Sequence, residues 1–214
     1  MINKIIHGDC LDVMKDIPDK SVDLILTDPP YGINEANGKN HSRGLLAKSK
    51  EYTVKDWDNK IPEKEIFEEM FRVSKNQIIF GGNYFFEYLY NSPCWLVWHK
   101  EINGDFADCE IAWTSFKSAI RYFKWRWNGM LQENMKQKDI RIHPTQKPTG
   151  LFQNILQKYS KEGETVLDCF SGSGTTAIAC IRTNRNYICI EKDKEYYDLS
   201  VERVKQELAQ GRLF

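Results

Sequence analysis

The chain has 214 residues, with 30 Lys and Arg against 30 Asp and Glu, so net charge alone predicts no polyanionic partner. Hydrophobic residues at 41% and charged residues at 28% exclude a disordered chain, and no run approaches the ~20 apolar residues of a membrane helix. Six scattered cysteines form no C-x-x-C pair and the first residues read as no secretory signal, so buried thiols in a reducing cytoplasm are expected, not a zinc or disulfide scaffold.

Short apolar runs alternate with longer amphipathic stretches, the pattern of an α/β domain with a largely parallel sheet. In chain order, residues 5–6 and 22–27 read as strands, 63–73 as a helix and 77–80 as a strand. Residues 84–90 read as a helix, and 94–98 and 110–114 as strands. A helix at 151–158, a strand at 165–169, a helix at 175–182, a strand at 187–190 and a helix at 194–208 complete the series. In the last helix Tyr197, Val201, Val204 and Leu208 recur at three- and four-residue spacing and predict its buried face. Residues 31–62 show weak periodicity and are rich in Gly, Asn, Lys and Ser; a loop of that length usually carries function.

Residues 165–176, Thr-Val-Leu-Asp-Cys-Phe-Ser-Gly-Ser-Gly-Thr-Thr, run from an apolar strand through a glycine-rich turn into a helix. Gly172 and Gly174 permit a tight turn and close backbone approach to a ligand. No Lys follows, as a phosphate loop requires, and the third glycine of a dinucleotide fingerprint is missing. The next strand ends at Glu191, well placed to bind ribose hydroxyls. Strand, turn, helix, strand and acid in this order imply a nucleoside-type cofactor without a pyrophosphate, against the plainer reading of a structural turn and a surface Glu.

The strand at 22–27 stops at Asp28-Pro29-Pro30-Tyr31-Gly32. Two prolines cannot continue a ladder, so the chain leaves the sheet stiffly at the edge where ligands of open α/β sheets sit. Asp28 is presented there as an acceptor, the Pro29 carbonyl as a second, and Tyr31 as a flat stacking surface. Two acceptors beside an aromatic plane suit an exocyclic amine on a planar base; a rigid turn with an incidental Asp is the plainer alternative.

These residues carry a family resemblance. The chain resembles the amino-methylating DNA methyltransferases that use S-adenosylmethionine, in the permuted arrangement where the catalytic tetrapeptide precedes the cofactor turn. Thr27-Asp28-Pro29-Pro30-Tyr31-Gly32, then His143-Pro144-Thr145-Gln146-Lys147-Pro148, then Asp168 to Thr176 agree with the family in order and content, and His7-Gly8-Asp9-Cys10 is similar to its opening segment. The resemblance implies a doubly wound, mostly parallel, Rossmann-like methyltransferase sheet and a role in DNA methylation or restriction-modification. It implies that Asp168, Phe170, Ser171, Gly172, Gly174 and Thr175 line the cofactor, with Glu191 on its ribose. Asp9 would lie near the adenine end, and Thr145 and Lys147 near the methionine end, where a Lys suits the carboxylate.

Asp28, Pro29, Pro30 and Tyr31 would form the catalytic set. Hydrogen bonds from the amine to Asp28 and the Pro29 carbonyl would localise the nitrogen lone pair, with Asp28 ionised at its ordinary pKa of ~3.9. The base would be flipped from double-stranded DNA and stacked on Tyr31. In the family Asp at the first tetrapeptide position usually goes with adenine N6, so adenine is expected; cytosine N4 is the alternative, and a non-catalytic DNA-binding or cofactor-sensing subunit a more distant one. Neither a metal nor a membrane partner is expected.

Residues 117–147 contain eight basic and two acidic residues, and residues 36–50 four basic and none acidic. Arg121-Tyr122-Phe123-Lys124-Trp125-Arg126-Trp127 interleaves cations and rings as a nucleic-acid groove does; it also fits a strand with its aromatics in the core. Lys124, Arg126 and Arg43 are the candidate DNA contacts. One domain spanning 1–214 is expected, with a catalytic region at 1–116, a small DNA-contacting insertion at about 117–142 and a cofactor-binding region at 143–214. That interval is short for reading a base sequence, and the resemblance implies a homodimer. The loop at 34–56 is expected to close over substrate, with Trp57 and Asp58 resembling a tryptophan-containing element that follows the family's tetrapeptide.

Overall fold

The computed structural model describes residues 1–33, 58–102, 107–128 and 131–210. The chain begins with β1 (Lys4–His7), α1 (Cys10–Lys15) and β2 (Val22–Thr27), then α2 (Lys64–Val73) and β3 (Ser74–Phe80). β4 (Trp95–His99), β5 (Cys109–Thr114), β6 (Arg121–Lys124) and the two-residue strands β7 (Trp127–Asn128) and β8 (Leu131–Gln132) follow. The chain ends with α3 (Thr149–Tyr159), β9 (Thr165–Asp168), α4 (Thr175–Arg182), β10 (Asn186–Glu191) and α5 (Lys194–Gln210).

Eight strands form one sheet in the order β1-β10-β9-β2-β3-β5-β4-β6. The run from β1 to β3 is parallel, β5 is antiparallel to both β3 and β4, and β6 returns parallel to β4. Strand alternation sends side chains to both faces, and helices cover both. Leu24 and Leu26 of β2 are buried in one cluster with Leu151, Phe152 and Ile155 of α3 and Ile178 of α4. Ile25, between them, belongs to the opposite cluster with Met14 of α1 and Phe67, Met70 and Val73 of α2. Each of these fully buried side chains contributes roughly 1.5–3 kcal/mol relative to exposure. No described helix is long and apolar enough to cross a membrane.

Four features differ from the sequence reading. Residues 84–90 are not a helix: Gly82–Tyr84 form a single 3-10 turn, Phe86 to Tyr88 a turn and Leu89 a bend. Phe85 packs on Phe67 at 5.2 Å and Tyr90 on Trp113 at 4.8 Å. A helix would turn those two positions to nearly opposite sides, so tertiary packing overrides the local spacing. The short helix α1 was not anticipated; Asp9 caps it by accepting from Leu11 N at 2.9 Å. The buried face of α5 is Tyr196, Ser200 and Val204, with Leu208 exposed. Ser200 is small where the helix meets the glycine turn: a Cβ on Gly174 would lie 3.1 Å from Ser200 Cβ. Among the six thiols, Cys109 is exposed and the other five are buried.

Candidate active site

From β9 the chain crosses through α4 to β10 on one side, whereas β2 crosses through α2 to β3 on the other. β2 and β9 are parallel neighbours, so their carboxyl ends flank a topological switch point. A cavity of about 510 Å³ opens there, lined by residues at and after the ends of β1, β2, β9 and β10 and by His143 and residues 145–147. That volume suits a nucleoside-sized ligand.

The glycine turn forms one wall. Asp168, at the end of β9, is buried and accepts from Thr27 Oγ1 at 2.7 Å, Thr176 Oγ1 at 2.5 Å and Phe170 N at 3.1 Å. Its carboxylate thereby fastens the turn to β2 and to the first turn of α4. Burial pushes its carboxyl up to about 6, against the lowering effect of those hydrogen bonds. Gly172 and Gly174 both lie in the left-handed region, at φ +49° and +73°. Glu191 accepts from Gly172 N at 2.7 Å and from Asp193 N at 2.8 Å, which fixes its carboxylate on the cavity wall. Burial raises the Glu191 carboxyl.

Phe170, Ser171, Gly172 and Thr175 also line the cavity, whereas Gly174 does not and acts by shaping the turn. Ser171 is a buried wall residue whose hydroxyl lies beside the Cys189 thiol. Asp9 also lines the cavity and pairs with Lys192 at 2.9 Å. Thr145 reaches the wall with its hydroxyl and backbone N on His143 Nδ1, and the buried His143 ring packs edge-on against Tyr196 at 4.2 Å. An open, partly apolar cavity lined by hydroxyls and oriented carboxylates fits a nucleoside cofactor.

Asp28 leaves β2 into the same cavity, but its surroundings correct one expectation. Its Oδ2 accepts from the buried Lys147 ammonium, and its Oδ1 accepts from Tyr31 Oη at 2.5 Å. Lys147 stands on the cavity wall and also pairs with Glu110 Oε2 at 3.1 Å, so its charge is held between two protein carboxylates. Asp28 is not at its ordinary pKa: burial raises its carboxyl, Lys147 opposes this, and Glu110 adds to the rise. Tyr31 and Pro29 are off the cavity wall, whereas Pro30 is on it. The Tyr31 ring stacks on Tyr84 at 4.8 Å and 12°, and lies so close to Gly81 that a Cβ there would meet it at 2.1 Å.

The basic-aromatic segment is an edge strand. β6 pairs with β4, and Phe123, Trp125 and Trp127 pack against the core. Lys124 and Arg126 project outward and share Glu101, at 2.7 and 3.7 Å. The interval 117–142 is therefore continuous with the central sheet through β6. Arg43, the loop 34–56 and Trp57 lie outside the described residues; Asp58 is buried and accepts from Gly32 N at 2.9 Å.

Residues 112–202 match the model of the N6/N4 methyltransferase family, described as DNA methylase. The chain is similar to the DNA adenine methyltransferase YhdJ of Escherichia coli (strain K12), 30% identical over 94% of this chain and 82% of that protein. It is 28% identical to the type II methyltransferase M2.MboI of Moraxella bovis, over 93% of this chain and 86% of that one. The chain belongs to the DNA methylase family. Among solved structures, the M1.HpyAVI–SAM complex superposes with a TM-score of 0.58 at 25% identity, covering 94% of this chain and 98% of that one. The methylase fold thus agrees with the doubly wound, mostly parallel sheet expected from the motifs.

Two polar residues of this methylase's site escaped the sequence reading. Glu110 and Lys100 extend the Lys147 contact, Lys100 pairing with Glu110 Oε1 at 2.5 Å. A single carboxylate inside the apolar strand segment Glu110-Ile111-Ala112-Trp113 was the available signal. Tyr84 was hidden by its assignment to a helix.

Proposed function

We propose that this methylase transfers the methyl group of S-adenosylmethionine to the N6 amine of adenine in double-stranded DNA, with Asp28 accepting a hydrogen bond from that amine. The observation that carries the reading is the shared cavity: the Asp28 carboxylate and the glycine turn after β9 face one space from adjacent strand ends. Bound there, S-adenosylmethionine supplies an already activated sulfonium methyl. The protein's task is then to orient the amine, exclude water and remove a proton.

Asp168, Phe170, Ser171, Gly172, Gly174 and Thr175 form or shape the cofactor wall in this reading. Glu191 receives the ribose hydroxyls, Asp9 lies toward the adenine and Thr145 toward the methionine. Pro29 and Pro30 stiffen the presentation of Asp28, and the Pro29 carbonyl is the second acceptor. Tyr31 supplies the aromatic plane beside the extruded base. Lys124 and Arg126 contact phosphate, residues 1–116 and 143–214 divide the catalytic and cofactor roles, and a homodimer helps cover the duplex. The short interval 117–142 supports that last element.

The test is incubation of the purified protein with labelled S-adenosylmethionine and mixed-sequence duplex DNA, followed by nucleoside mass spectrometry. N6-methyladenine is expected; N4-methylcytosine would move the reading to the other amine, and no labelled nucleoside would refute it. Sedimentation at assay concentration giving a monomer would remove the dimer.

A further inference from the structure

We infer that Glu110 is a positioning residue for methyl transfer: held by Lys100, it draws on the Lys147 ammonium and so sets how firmly Lys147 grips the Asp28 carboxylate. The inference rests on the methyl-transfer reading above. Four charged groups from separate segments form a chain of alternating sign, Asp28, Lys147, Glu110 and Lys100, whose charges sum to zero. Glu110 divides its two oxygens between two lysines: Oε1 faces Lys100 at 2.5 Å and Oε2 faces Lys147 at 3.1 Å. Lys100 also lies 5.4 Å over the Trp98 ring, a wall that keeps the outer link in place.

The chemistry gives this arrangement a purpose. As the adenine nitrogen attacks, the new C–N bond forms, the C–S bond breaks with its electron pair passing to sulfur, and the nitrogen gains a positive charge. The N–H proton then passes to Asp28, leaving a neutral methylated amine and a protonated carboxyl. A carboxylate paired with Lys147 alone would be a poor proton acceptor, whereas one without Lys147 would lose its orientation. Glu110 divides the lysine's charge between two carboxylates. The directions agree: burial lifts Asp28, Lys147 lowers it and Glu110 lifts it again. Burial also acts on Glu110, but Lys147 and Lys100 outweigh it and hold that carboxyl below its ordinary value. The other groups facing Asp28 are the Tyr31 hydroxyl and, across the β2–β9 boundary, the Asp168 carboxyl.

The experiment is the pH profile of single-turnover methylation for the wild type, Glu110→Gln and Lys147→Met, with S-adenosylhomocysteine binding measured by calorimetry. Removing the negative charge of Glu110 should move the acid limb to lower pH, and removing the positive charge of Lys147 should move it to higher pH. Each shift should be about one pH unit, the effect of a neighbouring buried charge. Lys147→Met should also lose rate at least about tenfold, and Glu110→Asp should recover much of the wild-type profile. Rate loss with an unmoved acid limb, or shifts of the same sign, would overturn the role of Glu110. If a variant fails to fold, Lys100→Met leaves the three inner groups in place. It should move the limb toward higher pH, because Glu110 then draws more on Lys147, and an unchanged profile there counts against the chain. Asp28→Asn separates the two readings: full activity would remove the methyl-transfer role of Asp28, whereas an inactive variant beside unmoved limbs removes the Glu110 role alone.

Discussion

Asp168→Asn is the substitution whose stability effect the structure fixes most directly. Asp168 is buried, and its carboxyl is pushed up to about 6 from an ordinary 3.8. A carboxyl with a raised folded-state pKa contributes stability that is fully present below the unfolded pKa and is lost as pH rises through the folded one. The window is therefore about pH 4 to 6, and the difference of roughly two units corresponds to about 3 kcal/mol. Asparagine has the same shape and does not titrate. Its oxygen can keep the bonds from Phe170 N and Thr27 Oγ1, and its amide can donate to Thr176 Oγ1 once that hydroxyl turns. Urea unfolding of both proteins at half-unit steps from pH 4 to 8 measures the effect. The stability of Asp168→Asn relative to wild type should rise by about 3 kcal/mol between pH 4 and 7 and then stay level. A relative stability that is flat across this range, or that falls, would refute a raised carboxyl at this position.

Three further outcomes follow from the site. Asp28→Ala should lower the methylation rate roughly 100-fold or more, from loss of a charge-assisted hydrogen bond worth about 3 kcal/mol at the transition state, while S-adenosylhomocysteine affinity by calorimetry stays near wild type. Gly174→Ala should destabilise the fold by about 1–2 kcal/mol in urea titrations, because φ is +73° there and the new Cβ meets Ser200. Replacing Lys124 and Arg126 together by Gln should flatten the salt dependence of DNA binding by about one unit of log–log slope per lost phosphate contact. Cofactor affinity should not move, and an unchanged slope would leave these residues as partners of Glu101 alone.

What the sequence displayed and what it hid divide along physical lines. β2 and α4 appear at their expected bounds because each is an apolar run closed by strong punctuation, prolines after β2 and a glycine turn before α4. The joining of Asp28 and Asp168 in one cavity was legible from the rule that ligands sit at the carboxyl edge of such sheets. The Lys147–Glu110–Lys100 chain was legible only as a lone carboxylate in an apolar strand, since which lysines it meets is set by the fold and leaves no periodic trace. Tyr31 shows the same limit. Its ring was readable as a stacking surface, but its stack on Tyr84 depends on Gly81 adopting φ +69°, a choice made by the fold.

The contiguous motif from His143 to Lys147 reaches the cavity because its ends are tied. Asp139 accepts from Thr149 N at 2.8 Å and from Thr149 Oγ1 at 2.7 Å, which closes residues 139–149 into a loop at the start of α3. Gln146 braces the loop from within, accepting from Ile142 N at 2.9 Å and donating to the Ile140 carbonyl at 3.1 Å. Arg203 of α5 then joins this loop to the cofactor turn, donating to Asp139 Oδ1 at 3.2 Å, Thr149 Oγ1 at 2.8 Å and the Ser173 carbonyl at 3.0 Å. A loop closed over so few residues loses little further entropy on ordering. That rigidity is what a buried lysine needs, because an ammonium out of water is tolerated only where its counter-ions are fixed. Lys147 can therefore be aimed at Asp28 from a loop, and the same guanidinium that holds the loop holds the glycine turn on which the cofactor is proposed to rest.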